Sequence, residues 1–197
     1  MLGTGGGFLA EHMAGHILAM NVMAPVLVLA AKRLTPRLGE TWIPRSIGLA
    51  SASQIALLWT WHLPDSLAFA AASGVAMMAM HLSLFAAALW FWICIADETA
   101  RSRWRSLGAL LITGKLFCLL GVLLALAPRP IYGEAIRIHA RSWHMPLDHM
   151  LPDQQLAGLL MLVACPLTYL LAGVVIAARW LAEIDRRPSW TSSEAEA

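Results

Sequence analysis

Apolar residues in this chain come in long blocks separated by short polar connections, without the strict alternation of a half-buried strand. Five blocks are candidates to cross a bilayer: residues 8–31, 46–61, 75–95, 107–127 and 155–181. A crossing helix needs roughly 20 apolar residues; the second block is the shortest and borrows Ile43 or Leu63 to approach that length. The pattern predicts an all-α, polytopic membrane bundle of about five transmembrane helices. It forms one domain over residues 1–182, followed by a polar tail over 183–197. The connections read "KRLTPRLGETWIPR", "HLPDSLAFAAASG", "ADETARSRWRS" and the long "PRPIYGEAIRIHARSWHMPLDHMLPD". No internal repeat is visible.

Composition agrees with that reading. Of 197 residues 59% are hydrophobic and 13% charged, and the mean hydropathy is +0.65, values foreign to a soluble domain. A net charge of +2, with no basic block, argues against a nucleic-acid partner. Lys and Arg are absent before Lys32, so the basic head of a signal peptide is missing and the first apolar block is expected to stay in the mature protein. Cys94, Cys118 and Cys165 lie inside apolar blocks without a CxxC pair and read as core residues.

Basic residues set the orientation. Lys32, Arg33, Arg37 and Arg45 fall in the first connection, Arg101, Arg103 and Arg105 in the third, and Arg179, Arg186 and Arg187 after the last block. The other side receives Arg129, Arg137 and Arg141. This asymmetry places the N-terminus outside and the C-terminus in the cytoplasm, and all seven histidines then fall at or near the outer face.

Those histidines carry the candidate chemistry. In "EHMAGHILAMNVM" the side chains of His12, His16, Met20 and Met23 share roughly 80° of helical arc. Met77, Met80 and His81 repeat the i, i+3, i+4 spacing in the third block, and His62 closes the second. Imidazole and thioether together suit soft, monovalent copper, whereas thioether is a poor ligand for harder ions. The plain alternative is a methionine-filled core with interfacial histidines bonded to water or backbone. Non-covalent b-type haem is the other ligand reading, with His16 paired to His62 or His81. Gly15 would suit a flat macrocycle, but Trp61 and Leu63 beside His62 would not, and copper ranks ahead.

Other motifs constrain the picture. "WTWHLPD" places Trp59 and Trp61 at an interface, where indoles collect, and Pro64 ends the helix. "LPDQQLAG" opens the fifth block, with Asp153 a candidate N-cap; Gln154 and Gln155 should face polar groups in an outer cavity. Lys115 falls near mid-membrane with no acidic residue at matching depth, so its partner is open, and a proton or ion path has this one residue in its favour. No GxSxG and no facing carboxylate pair marks an enzyme. "GTGGG" lacks the lysine of a phosphate loop and reads as a flexible leader.

Taken together, "HMAGHILAMNVMAPVLVLA", "WHLP", "HLSLFAAALWFW" and "DQQLAGLLM" resemble the CtaG-like assembly factors of bacterial cytochrome c oxidases. The likeness covers four of the five blocks in order, and "DQQLAG" is its most specific piece. It rests on His12, His16, Met20, Ala24, Pro25, Trp61, His62, Pro64, His81, Phe85, Trp92, Asp153, Gln154, Gln155 and Gly158. The resemblance implies a multi-pass protein of the bacterial plasma membrane, needed for oxidase maturation and supplying copper on the outer face. Its partners would be an oxidase subunit and an extracytoplasmic copper chaperone. Relatives often carry more spans, and an acidic residue where this chain has Met80, which leaves a softer site here. No role carries over to His139, His144 or His149.

The combined expectation is a non-enzymatic assembly factor with Cu(I) held by His12, His16, His62 and His81. Met20, Met23, Met77 and Met80 would assist. Asp153, Gln154 and Gln155 would orient the imidazoles through the ring nitrogen not on the metal. Pro25, Trp61, Pro64 and Gly158 would be structural. A structural chaperone that never touches metal is the rival from another class.

Overall fold

A computed structural model describes residues 7–34, 46–96, 103–143 and 149–186. Among these every regular element is helical: α1 (Phe8–Ile17), a wider π-type turn (Leu18–Met23), α2 (Ala24–Leu34), α3 (Ile47–Trp61), α4 (Pro64–Ala72), α5 (Gly74–Ala96), α6 (Arg103–Leu126), α7 (Gly133–Trp143) and α8 (Met150–Asp185). The expected all-α class is what is found.

Among the described residues four helical stretches are long and apolar enough to cross a membrane: Phe8–Leu34, Gly74–Ala96, Arg103–Leu126 and Met150–Asp185. Their bounds contain the expected blocks or match them within a few residues. The expected second span differs. Helix α3 has 15 residues and reaches about 22 Å at 1.5 Å per residue, short of the roughly 30 Å hydrocarbon core. It stops at Trp61 because Pro64 cannot extend it; Pro64 instead sits in the first turn of α4. Both α4 and α7 lie in stretches that read as connections. The expected tail also starts late, since α8 continues to Asp185; residues 187–197, like His144, Arg37, Arg45 and Arg101, are outside the described residues.

The largest interface joins α6 to α8, and small residues make it possible. A Cβ on Gly158 would stand 2.5 Å from the Ala125 backbone nitrogen and 2.7 Å from the Gly121 carbonyl oxygen. Backbones approach this closely only without side chains between them, the usual device for packing helices in lipid. Helix α1 packs on α8, α2 on α5, α3 on both α5 and α6, and α4 against α5 and α7. Trp92 stacks on Tyr169 at 5.8 Å, and Phe117 meets the same tyrosine edge-on at 5.6 Å, filling the centre.

The π-type turn has a local cause. Pro25 has no N–H for the carbonyl one turn earlier and its ring crowds that carbonyl. The ladder widens over Leu18–Met23, a distortion common at functional sites, and the Met20 carbonyl instead accepts the Trp92 indole N–H at 3.0 Å. At the other ends of the helices, Lys32 donates to the Ala96 carbonyl, and Arg103 pairs with Glu183 at 2.7 Å, joining α6 to α8.

Candidate metal centre

Four-residue spacing puts His12 and His16 on one face of α1, both buried. Their Nε2 atoms are 3.0 Å apart, and the rings meet edge to face at 4.4 Å. At that distance one nitrogen donates and the other accepts.

His62 arrives from the end of α3. Its Nδ1 is 2.7 Å from the Leu58 carbonyl oxygen. A carbonyl only accepts, so Nδ1 carries the hydrogen and the neutral ring keeps its lone pair on Nε2. That Nε2 is buried and has no hydrogen-bond partner among the described residues. His81, on α5, is anchored in the same way, with Nδ1 2.7 Å from the Met77 carbonyl oxygen. Its ring stacks on His16 at 4.7 Å and meets His12 at 5.3 Å.

One ligand nitrogen from each of His12, His16 and His62 lies within 4.8 Å of the others. Two imidazole nitrogens on one tetrahedral ion at about 2.0–2.1 Å each would be about 3.3 Å apart, so modest side-chain movement closes the trio on an ion. All four expected histidines therefore gather in one place, with His81 beside the trio.

The expected methionines are placed differently from one another. Met20 lines a small cavity with His16 and His62. Met23 is 47% exposed on the outer surface of the bundle, and Met80 is buried in the apolar core. Met77 packs partly buried against that core, offering its carbonyl to His81. Spacing alone had put all four on a histidine face. The wide turn rotates Met23 away, and tertiary packing claims Met80.

The "DQQ" segment acts on backbone, not on imidazoles, which corrects the expected hydrogen bonds to the rings. Asp153 does not cap its own helix; His149 holds that position in α8. Its carboxylate accepts the Leu9 and Ala10 N–H groups at 2.9 and 3.0 Å, so a residue of α8 caps α1. Two otherwise orphaned donors are satisfied, and negative charge meets the positive end of the helix dipole. Gln154 is fully buried. Its Oε1 accepts the Ile131 and Tyr132 N–H groups at 2.6 and 3.3 Å, and its Nε2 donates to the Leu124 carbonyl at 3.3 Å. Gln155 is half-buried, with no hydrogen bond to an imidazole among the described residues.

Tyr132, which the sequence did not single out, completes the linkage. Its hydroxyl donates to the His62 carbonyl at 2.6 Å, and burial pushes its phenol well above the ordinary range, keeping the donor protonated. Asp153 thus locates the helix of His12 and His16, while Gln154 acts through Tyr132 on the backbone of His62. No local sequence pattern announces a contact across 70 residues.

The remaining expected residues fall into place around this centre. Trp61 donates its indole N–H to Ser83 at 3.0 Å, tying α3 to α5. His139, on α7, stacks on Phe8 at 4.1 Å, one ring removed from His12. His149 is exposed, and so is Lys115, which lines a groove on the outside of α6 and α8 with Gly114, Cys118, Pro166 and Tyr169.

Fold and site together define a helical membrane protein that buries an imidazole cluster drawn from three helices. The model of the cytochrome c oxidase caa3 assembly factor family (Caa3_CtaG) matches residues 4–183, and the chain belongs to that family. No curated protein and no solved structure matches it.

Proposed function

We propose that this protein assists the maturation of a haem–copper cytochrome c oxidase by holding Cu(I) near the outer face of the plasma membrane and passing it to an oxidase subunit. The observation that carries the reading is the approach of His12, His16 and His62 nitrogens to within 4.8 Å of one another in a buried site. Family membership supplies the oxidase; the imidazoles supply the reason for a metal. A bound ion would take the place of the His12–His16 hydrogen bond, the ring hydrogen moving to Nδ1 of the same imidazole so that both rings stay neutral, and would use the lone pair of His62, with the His81 ring beside the trio.

Several features support this assignment. Anchoring Nδ1 of His62 and His81 on backbone carbonyls fixes the tautomer that leaves Nε2 for a metal, as in known imidazole sites. Three or four neutral donors without a carboxylate suit a monovalent, soft ion and leave it exchangeable. A macrocycle fits poorly: the cavity beside His16 and His62 measures about 10 Å³, and the His12–His16 contact leaves no plane between those rings. The basic residues of the sequence orient the chain with its N-terminus and histidines outside, where an extracytoplasmic copper chaperone could load it. The role is non-catalytic.

The test is anaerobic purification with metal analysis. The wild type should retain Cu(I), and the His16→Ala/His81→Ala variant should lose most of it and fail to support oxidase maturation. Retention unchanged in that variant would remove the copper assignment. Maturation without retained copper would leave a structural chaperone.

A further inference from the structure

Lys115 has no place in the reading above. It is the thirteenth of 24 residues in α6, twelve from Arg103 and eleven from Leu126, about 18 and 17 Å from the helix ends at the helical rise. A four-carbon stem cannot carry an ammonium that far to water. The side chain is nevertheless exposed on the outside of the bundle, and no hydrogen bond or ion pair reaches it among the described residues. A charge in hydrocarbon is costly unless it is paired or lines a polar space. The surroundings are not polar: Leu107, Leu110, Leu111, Pro166, Leu170 and Val174 line the same groove.

That groove has the dimensions of a helix seat. It encloses about 480 Å³ and runs from Leu107 to Cys118 along α6 and from Pro166 to Ala177 along α8, about three turns and 17 Å of each. Small residues stand at i, i+4 on both walls, Gly114 with Cys118 and Gly173 with Ala177. This spacing lets a further helix bring its backbone close in lipid. The Arg103–Glu183 pair ties the two walls beyond one end, and the Gly121–Gly158 contact ties them beyond the other.

Charge decides what fills the groove. The occupant must bring a carboxylate to the depth of Lys115. A second copy of this chain cannot, because its twelve acidic residues all fall in connections, the tail or the end turns of helices. Acyl chains carry no charge at that depth, and phospholipid headgroups stay at the bilayer faces. The acid therefore comes from a membrane span of another protein.

We propose that the α6–α8 groove docks a transmembrane helix of a partner protein, with an Asp or Glu near the middle of that helix paired to Lys115. Membership of an oxidase assembly family points to an oxidase subunit as the source of the helix. The docking is independent of the copper reading, since the groove shares no residue with the histidine cluster. The ion pair sets both the depth and the identity of the helix accepted: one without an acid leaves the ammonium unpaired in an apolar contact.

The test places a photo-crosslinking amino acid at Leu111 in the full chain, co-expressed with the oxidase in its native membrane. Leu111 lines the groove and is 63% exposed; Val26 on α2, 57% exposed and outside the groove, is the control position. Irradiation should join position 111, and not position 26, to an oxidase subunit, within a membrane span that carries Asp or Glu. Lys115→Met should lower that yield about tenfold, whereas Lys115→Arg should keep most of it. Exchanging the charges, with Lys115→Glu here and Lys at the partner's acidic position, should restore it. An unchanged unfolding temperature in Lys115→Met attributes the loss to docking rather than to folding. Crosslinks to lipid alone, to a second copy of the chain, or to the oxidase with equal yield in Lys115→Met would overturn the proposal. Copper retention by the wild type bears on the histidine site alone, so either reading can fail without the other.

Discussion

Gly7 and Asp153 stand so close that a Cβ on the glycine would lie 2.4 Å from the Asp153 carboxyl carbon. The carboxylate needs that space to reach the Leu9 and Ala10 amides, and those amides open the helix of His12 and His16. Gly7, the last residue of the glycine-rich stretch, therefore has a steric role that composition concealed.

Gly7→Ala should displace the carboxylate, and Asp153→Ala should remove it. Either leaves two helix-end donors unmet, with an expected loss of about 1–3 kcal/mol. Copper affinity should fall in parallel, because His12 and His16 ride on the displaced helix. Thermal unfolding and Cu(I) competition titrations check both effects. Full stability in Asp153→Ala would show that the cap across the bundle is dispensable.

Tyr132→Phe removes one hydroxyl and little volume. The His62 carbonyl loses its 2.6 Å partner, for an expected cost of about 0.5–1.5 kcal/mol. Copper affinity should drop less than in His62→Ala but measurably. Gln154→Ala should be more damaging, since it frees the Ile131 and Tyr132 amides together. An ordering with Tyr132→Phe worse than Gln154→Ala would contradict this linkage.

Gly158→Ala should be among the most destabilising single-methyl changes in the protein. The new carbon would meet the Ala125 backbone and the Gly121 carbonyl oxygen, and overpacking of this kind typically costs about 1–3 kcal/mol. Gly108→Ala is the control, since nothing lies within 4 Å of a Cβ there. Unfolding temperatures of the two variants should differ clearly in that direction.

The packing of α7 should weaken in acid. Burial lowers the His139 pKa in the folded protein, and Glu11 and Asp153 only partly offset this. The unfolded chain then binds a proton more readily than the folded one, so stability is intact above the ordinary histidine value of about 6.5 and declines as pH falls below it. His139→Phe keeps a ring stacked on Phe8 without the titration. Its unfolding temperature should decline less than that of the wild type between neutral and mildly acidic pH; parallel profiles would remove His139 from the effect.

Much of the fold was legible because lipid imposes length and apolarity on each crossing helix independently of its neighbours. The first, third, fourth and fifth blocks could be bounded within a few residues for that reason. Helices α4 and α7 were not legible: short, and stabilised by packing on one another, they carry no transferable signal of their own. The histidines were readable as candidates from type and spacing. Asp153 was misread because capping is normally local, and here the first amide it caps, that of Leu9, lies 144 residues earlier in the chain.

By itself, then, the sequence determined the all-helical membrane class and which residues could bind a soft metal, since hydropathy and ligand chemistry are properties of residues. Only the tertiary structure decided that imidazoles from α1, the end of α3 and α5 meet, that Met20 lines a cavity with two of them while Met23 faces outward, and that Asp153 and Gln154 hold backbone. Those outcomes depend on how helices cross and rotate, which packing between distant segments sets and no single segment encodes.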